Sequence, residues 1–272
     1  MDDNIAIKIE NVSKEYRVYK SNRQKIAHEL FGLDRGLPFK ALSNINIEIK
    51  KGENVGILGN IGSGRTSLAK VIAGISYPTE GNVQINGSII PVFELKGGFD
   101  LNFNGYDNIR IKGCTMGWNK QQIKEREHEI IEFAELEDQI HLKMSALRPV
   151  DRMRLGLTMI LMDDSDIMVF DSPFQVGSFA LRNKYIEKIR ERTESGDRTL
   201  VMVNVVWEIT KTLCERGIVI HNGEIKYDGP YDKAVKVYSE KYRDKRTNIK
   251  KREVDNEEQN DDNDDGAIFS DF

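Results

Sequence analysis

The sequence predicts an α/β fold: a mixed opening sheet, then strands alternating with helices around a parallel sheet, with a helical insert. Three observations predict it. Near the N-terminus "IAIKIENVSKEYRV" alternates apolar and polar residues, as a half-buried strand does. A glycine-rich loop, "GNIGSGRTS" from Gly59 to Ser67, sits between an apolar strand, "ENVGILG", and a stretch of helical spacing, "RTSLAKVIAGI". Further on, helix and strand patterns alternate, which points to a parallel sheet.

The elements follow in chain order. "LSNINIEIKKGENVGILG" holds two strands joined at the turn Lys51-Gly52. Ahead of it, "YKSNRQKIAHELFGLDRGLPFKA" is a long connection with a short helix from Arg23 to Phe31 and loop signals at Gly32, Gly36 and Pro38. "GNVQING" gives a short strand and turn, and "NKQQIKEREHEIIEFAEL" a helix with its charges on one face. The helical insert runs from roughly Asn104 to Arg152. "VDRMRLGLTMILMDDSDIMVFD" reads as a helix, an acidic break and a strand ending at Asp171; "LRNKYIEKIRERTESGDRTLVMVNVV" repeats helix then strand. "GIVIHNGEIKYDG" makes a closing hairpin. The domain is expected over residues 1–242, and the charge runs of residues 243–272 predict a disordered tail.

Composition narrows the function classes. With 272 residues, 39% of them apolar, the chain is long enough for a real core. It contains no apolar run of about 18 residues, and "MDDNIAIKIE" lacks the basic-then-apolar layout of a secretion signal, so a cytosolic protein is expected. Cys114 and Cys214 stand alone in no metal or redox spacing and are expected as reduced core residues. His28, His128, His141 and His221 are scattered, with no metal-ligand spacing; Trp118 and Trp207 are expected in the core or an interface. The net charge of −4 hides nine acidic residues within 253–272, which leaves the rest of the chain about +5. A mildly basic body suits an anionic membrane face or an acidic partner and, more simply, a solvated surface.

The loop carries the chemistry. In the pattern G-x-x-x-x-G-K-[ST], glycines let backbone N–H groups curl round phosphates, and the following helix presents its positive end to them. Gly59, Gly62, Gly64 and Thr66 meet that need, within the segment Gly59, Asn60, Ile61, Gly62, Ser63, Gly64, Arg65, Thr66 and Ser67; Arg65 replaces the lysine. A glycine-rich turn without a ligand is the bland alternative. Asp171, closing the apolar strand "DIMVFD", is a carboxylate placed where it would hold Mg²⁺ beside the Thr66 hydroxyl, or would cap a turn.

With these residues in place, the chain resembles the nucleotide-binding subunits of ABC transporters, in the branch that exports teichoic acids, capsular polysaccharide and O-antigen. The likeness covers about residues 5–240. It is carried by "NVSKEYRVYKSN", "ALSNINIEIKKGENVGILGNIGSG", "AGISYPTEGNVQINGSI", "GGFDLNFNGYDNI", "CTMGWNKQQIKEREHEIIEFAEL" and "GEIKYDGPYDKAVKVY". The resemblance implies a P-loop NTPase fold of ABC type, with an antiparallel β subdomain, a RecA-like parallel core and a helical subdomain at about 104–152. It implies ATP and Mg²⁺ as cofactors, a polytopic membrane permease as partner, and a homodimer or a heterodimer with a paralogue; Tyr16 falls where the family's aromatic stacks on adenine, and on the residues alone it is equally an ordinary strand tyrosine. It places the chain on the cytoplasmic face of the cell membrane, with no nucleic acid partner. A role for Leu30 and Phe31 in gating polymer entry stands beside plain packing on the sheet edge.

The departures from the family pattern all fall on catalytic positions. "LRPVD", Leu147 to Asp151, replaces the signature that would bind the opposite subunit's γ-phosphate, and Pro149 has no backbone N–H to offer. Ser172 stands where the family's water-polarising Glu follows Asp171, and Val205 where it has a switch His. Ser178 replaces the D-loop aspartate, and Asp100 lies near the place of a glutamine that reaches Mg²⁺. Neither a homodimer nor a pairing with an intact paralogue yields a complete composite site. The expectation is an ATP-binding subunit with impaired or no hydrolysis; the alternative is a slow transport ATPase.

Overall fold

The computed structural model describes residues 3–19, 36–93, 98–171, 177–196, 198–203 and 207–243. The expected helix from Arg23 to Phe31, Ser172, Val205, the side chain of Trp207 and the tail beyond Arg243 lie outside the described residues.

Two sheets form the body. The first is antiparallel, in the order β2-β1-β4, built from β1 (Ile5–Val18), β2 (Leu37–Lys50) and β4 (Glu80–Ile85). Alternation in β1 buries Ile7 and Ile9 on its inner face, and a register irregularity at Asn11, φ 52°, brings Val12 into the same core. β2 begins at Leu37, earlier than the loop signal at Pro38 suggested. Pro38 is tolerated because β2 is an edge strand, where a missing N–H leaves no neighbour unpaired.

The second sheet runs β5-β6-β7-β3-β8-β9. β3 (Asn54–Leu58), β5 (Ile89–Val92), β6 (Ile167–Asp171), β7 (Thr199–Val203) and β8 (Arg216–His221) are parallel, and β9 (Glu224–Pro230) turns back antiparallel on β8. All five residues of β6 and of β7 are buried, as expected of strands covered on both faces. One core joins the inner face of the first sheet to β3 and to α1 (Arg65–Ile72), through Ile9, Ile47, Val55, Leu68 and Ile72. The opposite face of the large sheet packs on α5 (Phe179–Glu194), α6 (Trp207–Leu213) and α7 (Tyr231–Val237).

A helical cluster stands beside the sheets: α2 (Gly105–Thr115), α3 (Lys120–Ala134) and α4 (Pro149–Leu161). Asn119 opens α3 with a capping box closed by Gln122. α4 runs past the expected end of the insert and serves both units: Leu155 and Met159 face the helical cluster, Leu157 and Leu161 the sheet core. Cys214 is buried as expected, but Cys114 is exposed, because helical spacing turns Ile109 and Gly113 of α2 inward instead. Among the described residues no helix is long and apolar enough to cross a membrane.

Trp118 is the seam between the two units. Its buried Nε1 donates to Asp163 Oδ2 at 2.8 Å, while the Arg126 guanidinium lies 4.7 Å from its ring centroid. Trp118→Phe keeps the ring contact but strands a buried acceptor, a loss of about 1–3 kcal/mol. A thermal unfolding midpoint several degrees below wild type is the expected result; an unchanged midpoint would count against the seam.

Candidate functional site

The glycine loop leaves the C-terminal end of β3 and enters α1. Gly62 and Gly64 have φ of 79° and 104°. At Gly64, the N-cap of α1, a Cβ would also lie 2.4 Å from the Ala41 carbonyl oxygen, so sterics and backbone both demand glycine. Around them the turn is fixed by Ser63 N–H donating to the Asn60 carbonyl at 3.1 Å and Gly223 N–H donating to the Ser63 carbonyl at 2.9 Å. The second bond moors the loop to the β8–β9 turn.

A cleft of about 400 Å³ lies over this turn, lined by Asn60, Ile61, Gly62, Gly64, Arg65, Thr66, Ser67 and Asp171, with Phe39 and Ala41 from β2. Gly59 and Ser63 are buried beneath it. Eight of the sequence-selected residues thus converge on one space. Asp171 arrives there because β6 ends level with β7, Asp171 pairing with Val203, and its side chain is almost wholly buried.

Electrostatics in the cleft centre on Arg65. Burial lowers the pKa of its guanidinium, and Tyr238 and Asp171 act against that shift. Arg remains a cation under all ordinary conditions, so the cleft carries one fixed positive charge beside one carboxylate. Ser63 Oγ is buried with no hydrogen-bond partner among the described residues. It packs against Gly59, beneath the cleft and not in its lining, so a phosphate at the start of α1 would meet the loop's N–H groups and Arg65 instead. Among the described residues there is no cluster of three or more His, Cys, Asp or Glu side chains suited to a metal ion. A divalent cation in the cleft would rest on few protein ligands: Asp171 is the one carboxylate in the lining, beside the hydroxyls of Thr66 and Ser67 and the Asn60 amide.

Tyr16 does not line the cleft; Phe39 does. The two are directly opposite in the β1–β2 pairing, so their side chains share one face of the ribbon. Tyr16 is half-buried with the Lys14 ammonium 5.1 Å from its ring centroid, whereas Phe39 is about half exposed at the cleft rim. Sequence reasoning passed over Phe39 because it follows a proline in a stretch read as loop.

Among the described residues, Ser178, Asp100 and the "LRPVD" segment have other structural work. Ser178 N-caps α5, accepting from Leu181 N–H at 3.4 Å. Asp100 Oδ1 accepts from Asn102 N–H at 2.9 Å in a turn against α2, away from the cleft. In "LRPVD", Leu147 is buried, Arg148 is the N-cap of α4, and Pro149 is its first residue. Asp151, fully buried in the first turn of α4, pairs with Arg148 at 2.7 Å and with buried Arg154. A side-chain carboxylate of the chain itself therefore occupies the positive end of this helix.

Comparison with known proteins agrees with this architecture. The ABC transporter family model matches residues 42–175. The teichoic acids export ATP-binding protein TagH of Staphylococcus saprophyticus is 30% identical over 235 residues, covering 86% of this chain and 88% of that protein. Its namesake in Bacillus anthracis is 30% identical over 258 residues, covering 92% of this chain and 47% of that protein, so the chain spans about half the length of that relative. Among solved structures, the dimeric ATP-binding cassette MJ0796, in a post-hydrolysis state bound to ADP and Pi, matches with a TM-score of 0.67 at 22% identity. The match covers 83% of this chain and 98% of that one, a likeness of fold. With a relative at this identity aligned over nearly its full length, and with the sheet order and loop described above, the chain belongs to the ABC transporter ATP-binding proteins, in the branch of the teichoic acids export ATP-binding proteins.

Proposed function

We propose that this chain is the nucleotide-binding subunit of an exporter of a cell-surface polysaccharide or teichoic acid-like polymer, one that binds ATP with Mg²⁺ and hydrolyses it poorly or not at all. The observation that carries the reading is the contrast between two helix ends. The start of α1 is an open glycine cradle lining a cleft with Arg65, while α4 begins at Pro149 and holds a buried Asp151 already paired with two arginines. The first suits phosphate; the second has no N–H at its first residue and no glycine cradle, and its first-turn carboxylate is already bonded to Arg148 and Arg154.

In this reading the amides of Gly62 to Thr66 and the Arg65 guanidinium hold the phosphates, and Thr66 and Asp171 hold Mg²⁺. Phe39, at the cleft rim, flanks the base, with Tyr16 opposite it on the neighbouring strand. The ion neutralises phosphate charge when bound. Arg65 is a planar fork and cannot act as a compact charge between two phosphates. Loss of one such contact from a transition state costs about 3–4 kcal/mol. Ser172 is no base near neutral pH. The subunit would work at the cytoplasmic face of the membrane against a polytopic permease, as a homodimer or with a paralogous ATP-binding subunit.

A single-turnover assay tests this, with protein in excess over labelled ATP and Mg²⁺, scoring retained nucleotide and released ADP in one sample. Retained, uncleaved ATP is the expected result, with retention weakened by Phe39→Ala. Release of ADP that Asp171→Asn abolishes would establish a working ATPase in place of the impaired one. Failure to retain ATP would remove nucleotide binding from the reading.

A further inference from the structure

We propose that Tyr238 is a positioning residue for the glycine loop, acting through Asn60 to tie the loop to the C-terminal end of the domain. The inference rests on the reading of that loop as a phosphate site. Asn60, the second residue of the loop, has both ends of its amide engaged by one short segment. Its Oδ1 accepts from the Tyr238 hydroxyl at 3.0 Å, and its Nδ2 donates to the Tyr242 carbonyl.

That segment, Tyr238–Tyr242, is a single π-helical turn at the end of α7. Such turns are rare and cluster at functional places, because the extra residue per turn pushes side chains out of helical register. α7 is itself pressed onto the large sheet: a Cβ on Gly217 of β8 would come 2.4 Å from the Ala234 side chain. Beyond the turn, the Tyr242 ring rests on His221 with centroids 4.9 Å apart, and His221 closes β8, the parallel neighbour of β3. The segment therefore grips the loop from the strand that stands beside it.

Holding Asn60 matters because its backbone carbonyl accepts from Ser63 N–H, the bond that shapes the turn. Its amide oxygen is also a partial negative charge at the rim of a cleft suited to phosphate, and the Tyr238 hydroxyl engages that atom.

The test compares wild type, Tyr238→Phe, Asn60→Ala and the double variant. Two readouts are used: amide hydrogen exchange over residues 60–67 without nucleotide, and affinity for a fluorescent ATP analogue. Tyr238→Phe removes one hydroxyl, and one net hydrogen bond corresponds to about a fivefold change. Exchange about fivefold faster and analogue binding about fivefold weaker are expected, with the global unfolding midpoint nearly unchanged. In the Asn60→Ala background the second substitution should add nothing to either. Wild-type exchange rates in Tyr238→Phe, or effects that simply add in the double variant, would overturn the proposal. If wild type binds no analogue, the phosphate reading fails, while the exchange data still decide the role of Tyr238.

Discussion

Asp151→Ala is expected to lower the unfolding midpoint by about 10 °C. The carboxylate is fully buried and bonded on both oxygens, to Arg148 and to Arg154. Arg154 is itself buried and keeps only a 3.6 Å contact with Glu135 once Asp151 is gone. Removing one partner of a buried ion pair costs about 3–5 kcal/mol, since the other charge is left behind in a poor solvent. For a domain of this size each kcal/mol is worth about 2–4 °C.

The same pair gives the expectation a pH signature. Burial alone would raise the Asp151 carboxyl, but hydrogen bonds from Arg148 and Arg154 hold it below the ordinary carboxylate range. A depressed acid contributes stability that is present above its unfolded pKa of about 3.9 and is lost as pH falls through the native value. The gap between wild type and Asp151→Ala should therefore be constant from pH 7 to about 5 and shrink below pH 4. Thermal melts of both proteins across that range measure it. A gap that widened in acid would mean the carboxyl is neutral in the native protein.

Gly64→Ala is expected to weaken analogue binding severely while leaving the fold in place. At φ of 104° with the Ala41 carbonyl 2.4 Å from the new Cβ, the residue cannot be accommodated without moving the start of α1. Strain of about 1–3 kcal/mol falls on the loop itself. Displacing several donors at once should weaken nucleotide affinity by about 100-fold or more, roughly 3 kcal/mol. Equilibrium titration with the analogue and a far-UV spectrum on the same sample separate the two effects. Tight binding by this variant would remove the loop from the proposed site.

Much of this was readable in the sequence because it depends on short-range rules. The alternation in Ile5–Val18, the glycines of the loop and the apolar run ending at Asp171 each announce their own conformation. The missing parts are long-range. Phe39 joins the cleft through its pairing with Tyr16 across a connection of many residues, and no local pattern reveals that register. Tyr238 meets Asn60 from far along the chain, brought there by the path of α7 over β8. Asp151 looked like a damaged signature; its burial between two arginines became visible only once α4 was seated between two cores. Pro38 misled in the opposite direction, since only the sheet order shows that its strand lies at an edge.

The place of β3 in the large sheet also sets a timetable. Its two neighbours are β7 and β8, both near the far end of the chain. A ribosome adding about 5–20 residues per second needs roughly 7–30 s to go from the glycine loop to β7, and longer to reach β8. Throughout that interval "NVGIL" has neither sheet edge satisfied, although β1 and β2 already exist to pair with each other. The cleft is therefore among the last features a newborn chain acquires, and the proposed nucleotide site is not assembled until almost the whole domain has been made.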